Sequence, residues 1–529
     1  MSVPLPLRWF LMLMSALLWS APVNALTPQQ ARSLVAGDFE TRIAALNALL
    51  DGAGDKTVAL IQAVADDTVR FTDSAVFIIK DGKGFDPVTG AEVAVPGRAE
   101  DVINNNRMRS ELNAALAWIK LFSADTAVRA EAVKVLQSEP DEAKLPLIEK
   151  ALAAEAVPAI RHELEQVRWA MLLGSDDKTK RLSAATALGA SGTPATKTLL
   201  LERQKSEAEA DVRAAIVAAL KAIDGRLAWG ERLGVLFTGI SLGSILLLVA
   251  LGLAITYGLM GVINMAHGEL MMIGAYATYL VQSLFRTWLP GAFDAYVLVA
   301  IPVSFLTAAL VGAVLERSVI RWLYGRPLET LLATWGISLM LQQAVRSIFG
   351  AQNVPVENPA WLSGGVNVMS NLTLPYNRIA IVVFAVLVLA GVAALIARTR
   401  LGLFVRGVTQ NRRMASCMGV NTARIDTYAF ALGAGIAGLA GCALSQVGNV
   451  GPDLGQGYIV DSFMVVVLGG VGQLAGTVYA ALGLGVLNKL LEGWQGAVLA
   501  KIMVLVFIVI FIQKRPQGIF ALKGRSAEA

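Results

Sequence analysis

The chain has 529 residues, 55% of them hydrophobic and only 16% charged, with a mean hydropathy of +0.59, which is too apolar for an ordinary water-soluble protein of this length. The formal net charge is +5, but the basic residues gather in a few short loops, a pattern of membrane topology rather than of nucleic-acid binding. Two cysteines, Cys417 and Cys442, are too few and too far apart for a disulfide framework.

The N-terminus reads MSVPLPLRWFLMLMSALLWSAPVNALTP. Arg8, an apolar run from Trp9 to Trp19 and Val-Asn-Ala ending at Ala25 predict a secretory signal peptide over residues 1–25. Its apolar core is short for a bilayer span. Cleaved or retained as an anchor, it exports the adjoining domain.

Residues 26–226 are charged, Ala-rich and periodic. DTAVRAEAVKVLQ (125–137), AVPAIRHELEQVRWAMLL (156–173), KTKRLSAATALG (178–189) and EADVRAAIVAALKAID (209–224) each place a polar start before apolar residues at helical spacing. Short helices recurring in this way predict a HEAT-like α-helical solenoid. DSAVFIIKDGKGFDPVTGAEVAV (73–95) breaks the rhythm, and its alternation and Asp81-Gly82 predict a small β-hairpin insert. His162 falls on a charged helix and reads as a surface residue.

From about Trp229 the chain is hydrophobic almost to its end, a membrane domain over 227–525. The predicted spans are 233–257, 262–284, 295–316, 330–349, 378–397, 427–447, 459–475, 477–491 and 498–513. The seventh and eighth are short and Gly-rich, as broken or re-entrant helices are. The expected fold is therefore all-α: a polytopic membrane domain of about eight to nine spans after an exported solenoid.

Loop charge orients it. Segment 398–424 carries Arg398, Arg400, Arg406, Arg412, Arg413 and Arg424 and no acid. Arg317, Arg321 and Arg326 mark a second basic loop, and Lys514, Arg515, Lys523 and Arg525 mark the tail, whereas 350–377 has no Lys or Arg. The positive-inside rule puts both basic loops and the C-terminus in the cytoplasm. Counting spans back from residue 317 places residue 230 outside, with the exported domain.

Enzyme fingerprints are weak. GAGIAG (433–438) matches a dinucleotide-binding pattern, but no strand precedes it, and Gly433, Ala437 and Gly441 read better as a small-residue packing face. GISLG (239–243) matches a nucleophile elbow within a predicted span, leaving an intramembrane hydrolase using Ser241 and His267 as the alternative from another class. There is no phosphate-binding G-x-x-x-x-G-K-[ST] loop and no paired metal-ligand motif, so no cofactor or metal is expected.

GVINMAHGELMMIG (261–274) places Asn264, His267 and Glu269 in an apolar setting. On a regular helix Asn264, His267 and Met271 share one face and Met265, Glu269 and Met272 another, so His267 and Glu269 point nearly oppositely. Capping accounts for Asn264, and the charge of Glu269 is favourable near a helix N-terminus. His267 is left over, and ionisable groups inside a membrane mark polar pathways.

GLAITYGLMGVINMAHGELMMIGAY (252–276), LLATWGISLMLQ (331–342), RTRLGLFVRGVTQNRRMASCMGVNTARI (398–425) and VVLGGVGQLAGTVYAALGLGVL (466–487) resemble, in order, the membrane subunits of branched-chain amino acid ABC importers. The resemblance covers about 230–525. Within that family, the exported extension and the wording R-G-V-T-Q-N resemble urea permeases. The resemblance implies alternating access, with urea as substrate and branched-chain or other amino acids as the alternative. It implies a multi-pass inner-membrane protein with a periplasmic N-terminal domain. Its partners would be ABC ATPase subunits, a second permease and a periplasmic binding protein. The implied pathway for a small neutral solute is Asn264, His267, Gly268 and Glu269 together with Gly470, Gly472 and Gln473. For an amino acid, Glu269 or Asp461 would receive the ammonium group. The implied ATPase coupling loop is 404–420, helical around Gln410 to Met418, with Arg406, Gln410, Asn411, Arg412, Arg413, Met418 and Gly419. A passive channel is the remaining alternative.

Overall fold

The computed structural model describes residues 26–50, 54–80, 82–137, 145–261 and 263–520. The expected signal peptide at 1–25, Asp81 of the expected turn, and Lys523 and Arg525 of the tail lie outside the described residues. The chain divides into two compact units between Arg226 and Leu227.

The first unit opens with α1 (Pro28–Val35), α2 (Phe39–Leu50) and α3 (Asp55–Ala65). A five-stranded antiparallel sheet comes next, in the order β4-β3-β2-β1-β5, from β1 (Val69–Phe71), β2 (Val76–Lys80), β3 (Lys83–Phe85), β4 (Glu92–Val93) and β5 (Glu100–Asp101). The hairpin expected at 73–95 is therefore the middle of a larger sheet. Its flanking strands are only two or three residues long, too short to show a period.

Helices α4 (Asn106–Lys120), α5 (Thr126–Gln137), α6 (Leu145–Ala154), α7 (Pro158–Leu172), α8 (Lys178–Leu188), α9 (Pro194–Ser206) and α10 (Ala210–Met260) complete the unit, with the unit boundary falling inside α10. The set α5–α7 and the set beginning at α8 repeat each other at an offset of 52 residues, which takes Arg129 to Arg181 and Glu155 to Glu207. Arg129 donates twice to Glu155, at 2.8 and 3.1 Å, and Arg181 twice to Glu207, at 3.0 and 3.1 Å. Each arginine also donates to two carbonyls before its own helix, Ser123 and Ala124 or Ser175 and Asp176. Each glutamate accepts from the backbone two residues on, Val157 or Glu209. Full satisfaction is what makes such sequestered charges tolerable. Buried apolar positions keep the same register, Leu136 with Leu188, Ile148 with Leu200 and Leu164 with Ile216.

The second unit takes the apolar part of α10, then α11 (His267–Trp288), α12 (Tyr296–Ser318), α13 (Pro327–Phe349), a hairpin of β6 (Gly365–Met369) and β7 (Leu372–Pro375), and α14 (Tyr376–Arg398). Two short helices, α15 (Arg400–Gln410) and α16 (Arg412–Cys417), lead to α17 (Thr422–Ser445), α18 (Leu454–Gly469), α19 (Leu474–Gln495) and α20 (Ala497–Lys514). Among the described residues six helices are long and apolar enough to cross a membrane: 210–258, 290–318, 376–398, 422–445, 474–495 and 497–514. The expected eight to nine spans count three more segments. Helices α11 and α13 have the length but carry polar residues, and α18 is apolar but has 16 residues. The eighth expected span is not short, since α19 runs 22 residues.

Helix α17 is the central post: 83% of its apolar window is buried, against 17% for α14 and for α20. Its small residues permit this. Gly433 lies on Gly252 of α10, Gly438 on Ser304 of α12 and Gly441 on Met271 of α11, where a methyl group would collide with backbone. The helix runs α10–α13 and α17–α20 share one plan, a long helix, a break, and three further helices. Gly252 and Gly433, each in the helix before its break, contact each other's backbone. So do Gly268 and Gly455, each the second residue after its break. Contacts between equivalent positions are what two repeats related by a two-fold axis produce.

Candidate functional site

The first break places three polar side chains in the apolar interior. After α10 ends at Met260, the chain turns through Gly261, whose φ of +64° lies in the left-handed region that favours glycine. It then runs back along α10. The His267 ring reaches Val249 O at 3.1 Å. Val249 lies 11 residues before the end of α10, a depth of roughly 16 Å at 1.5 Å per residue. Helix α11 thus begins about three turns back from the end of α10, against its buried apolar stretch. Residues 264–266 are not helical, so the face-sharing of Asn264 with His267 expected for a regular helix does not arise.

Each polar group has its own direction. Asn264 Oδ1 accepts from Ala266 N at 3.1 Å, an Asx turn just ahead of α11 rather than the expected helix cap, because Ala266 holds the N-cap position and no side chain caps it. A carbonyl only accepts, so His267 Nε2 carries the proton toward Val249 and Nδ1 is bare. Glu269 Oε1 accepts from Ser338 Oγ at 2.9 Å and Gln342 Nε2 at 2.8 Å, both on α13. His267 and Glu269 therefore face opposite helices, as their spacing predicts, and all three residues are buried. Asn264 Nδ2, His267 Nδ1, Glu269 Oε2 and Tyr276 OH find no hydrogen-bond partner among the described residues.

Helix α13 answers this break with a polar stripe at four-residue spacing: Thr330, Thr334, Ser338, Gln342 and Arg346. The first four are buried. Thr334 accepts from Met265 N at 3.2 Å, and Arg346 pairs with Asp453 immediately before α18. Sequence reasoning passed over this stripe because Leu and Met surround it, although the spacing was there to read. It also passed over the start of α18, which meets the start of α11. A Cβ on Gly268 would stand 2.5 Å from Gly455 O. Two helix N-termini, each the positive end of its peptide dipoles, thus abut beside a carboxylate.

Gly470, Gly472 and Gln473 do not join this site. They form the turn at the other end of α18, roughly 24 Å away along a 16-residue helix. Gly470, with φ +97°, packs under the backbone of Phe520, and Gly472 lies against Gly258. Gly472 and Gln473 line a cavity of about 490 Å³ with Ile255, Leu395, Leu432, Arg406 and Gln410. Asp461, the other acid considered, sits 3.7 Å from Lys501.

The coupling segment differs from the expected single helix around Gln410 to Met418. Asn411 interrupts it, accepting from Met414 N at 3.0 Å to cap α16. Arg413, Met414 and Met418 are exposed, and Gly419 ends the segment. Arg412 turns inward to Asp426. Ser241 Oγ has no partner among the described residues, while His267 is engaged at Val249. No serine–histidine pair forms.

Comparison with known proteins identifies the family of the second unit. The family model "Branched-chain amino acid transport system / permease component" matches residues 235–512, more than half of the chain. The "High-affinity branched-chain amino acid transport system permease protein BraD" of Pseudomonas aeruginosa is 30% identical over 288 residues, covering 54% of this chain and 94% of its own. The corresponding LivH of Escherichia coli K12 is 29% identical over 294 residues, 54% of this chain and 94% of its own. A "Probable branched-chain amino acid transport permease protein LivH" of Methanocaldococcus jannaschii is 24% identical over 310 residues, 55% of this chain and 92% of its own. No solved structure matches. These relatives are transport subunits rather than enzymes, which removes the hydrolase alternative. The chain belongs to the branched-chain amino acid transport permease family.

Proposed function

We propose that this chain is the membrane-spanning permease subunit of an ATP-driven importer of branched-chain amino acids. The observation that carries the substrate is the meeting of the α11 and α18 N-termini beside Glu269, whose Oε2 is unpartnered among the described residues. A zwitterion uses both features: its carboxylate favours helix N-termini and its ammonium favours the glutamate. Urea can hydrogen-bond to both, but being neutral it gains no charge complementarity from either. The names of the matching relatives support the same choice.

In this reading Ser338 and Gln342 hold Glu269 closed, and movement of α13 exposes it as access alternates. The exposed face of α16, with Arg413, Met414 and Met418, docks an ABC ATPase. A second permease and a periplasmic binding protein complete the complex. The protein is a multi-pass inner-membrane protein, its basic loops and C-terminus cytoplasmic. Residues 26–226 form a periplasmic HEAT-like solenoid that contacts the binding protein or neighbouring chains, a reading supported by the 52-residue repeat. Uptake of labelled leucine and urea by the assembled complex tests the substrate. ATP-dependent leucine uptake supports the proposal, and urea uptake that leucine does not compete overturns it.

A further inference from the structure

We infer that Arg412, Asp426, Thr427, Glu316 and Tyr324 form a closed joint that transmits force from α16 to the membrane helices. The inference rests on the coupling role proposed above and assigns Arg412 a positioning role in place of an ATPase contact.

The joint is a ring of contacts across three parts of the chain. Both terminal nitrogens of Arg412, at the start of α16, donate to the Asp426 carboxylate on α17. The neighbouring Thr427 Oγ1 donates to Glu316 Oε2 at 2.6 Å, on the last turn of α12. Glu316 Oε1 accepts from Tyr324 OH at 3.0 Å. The Tyr324 ring closes the circuit, lying 5.0 Å from the Arg412 guanidinium carbon. Glu316, Asp426 and Thr427 are buried, whereas the Arg412 side chain is 43% exposed.

Position explains why such a ring matters. Helix α16 has six residues, separated from α15 by Asn411 and from α17 by Gly419, which holds a φ of +84°. A short helix between two turns swings easily unless something fixes it. Arg412 fixes it to α17 through a two-point charge-assisted bond, which sets orientation as well as distance. Through Glu316 and Tyr324 the same bond reaches α12 and the segment that leads into α13. Helix α13 carries the polar stripe that holds Glu269, so a push on α16 arrives at the proposed site through packed, bonded groups rather than through a loose loop.

Asp426→Asn, Arg412→Ala and the exchange Arg412→Asp with Asp426→Arg test this in the full complex. ATP hydrolysis and labelled leucine uptake are measured side by side in proteoliposomes. The expected result is hydrolysis within about twofold of the parent and uptake per ATP lower by about tenfold, the size of a typical coupling between sites. The exchange recovers part of the ratio. An unchanged ratio in Asp426→Asn and Arg412→Ala overturns the joint. Proportional loss of hydrolysis and uptake with ATPase subunits no longer co-purifying also overturns it, since Arg412 is then a docking residue. If the parent complex takes up urea rather than leucine with ATP, the substrate reading fails separately, and the same uptake-to-hydrolysis ratio measured with urea decides the joint.

Discussion

Gly268→Ala puts the meeting of the two helix starts to a direct test. The new methyl group would stand 2.5 Å from Gly455 O and 2.8 Å from its carbonyl carbon. Ordinary contact begins near 3.4 Å, so α11 and α18 must part by about 0.9 Å. The obstruction is backbone, which no rotamer change relieves. Overpacking of this kind costs about 1–3 kcal/mol, against about 0.5–1 kcal/mol gained by replacing glycine with alanine inside a helix. A net loss of about 0–2.5 kcal/mol, centred near 1 kcal/mol, is expected. Gly391→Ala in α14 is the matched control, since nothing lies within 4 Å of the added carbon. Thermal unfolding of the detergent-solubilised chain, followed by tryptophan fluorescence, should show Gly268→Ala melting several degrees below the parent and Gly391→Ala at or above it. If Gly268→Ala melts as high as Gly391→Ala, the close approach of the two helices is not real.

Glu269→Gln should raise the KM for leucine by about tenfold or more, the worth of one hydrogen bond to a charged group. Asp461→Asn should leave that KM within about twofold, because Asp461 faces Lys501. Equal effects in uptake kinetics would remove Glu269 from the site. In the first unit, the bonds from Arg129 hold the Glu155 carboxyl below its ordinary range. A depressed folded value means this stabilisation is present above the unfolded carboxylate pKa of about 4.3 and is lost as pH falls through the folded value. Amide protection in α5–α7 should accordingly stay flat from neutral pH to about pH 5 and fall below about pH 4, while Glu155→Gln starts lower and changes less. Deleting residues 26–225 should weaken uptake while the membrane unit remains inserted, and undiminished uptake would leave the solenoid without its proposed role.

Much of this architecture is set by local signals. Apolar runs and Gly or Arg punctuation place the ends of most membrane helices within about six residues, because length and hydropathy are properties of single segments, whereas the start of α10 at Ala210 lies 23 residues before the expected 233, hidden in a charged stretch. The break at 261–266 announces itself through Gly261, Asn264 and His267 in an apolar run. Long-range geometry is another matter. Gly455 reads as one glycine among many until the fold lays it on Gly268. Gln473 and Asn264 look alike in the sequence, yet the length of α18 separates them. Arg412 and Arg413 carry the same charge in the same loop, and only the approach of Asp426 and Tyr324 turns one inward. The stripe from Thr330 to Arg346 was legible at four-residue spacing, but its apolar neighbours make α13 look like an ordinary span.

The most direct measurement is uptake of labelled leucine and urea by proteoliposomes holding the complex of this chain, its partner permease, ATPase subunits and binding protein, with a hydrolysis-dead ATPase as the blank. ATP-dependent leucine uptake that excess urea leaves untouched is the predicted result. ATP-dependent urea uptake that leucine does not compete would contradict the account, as would leucine entry that persists with the dead ATPase.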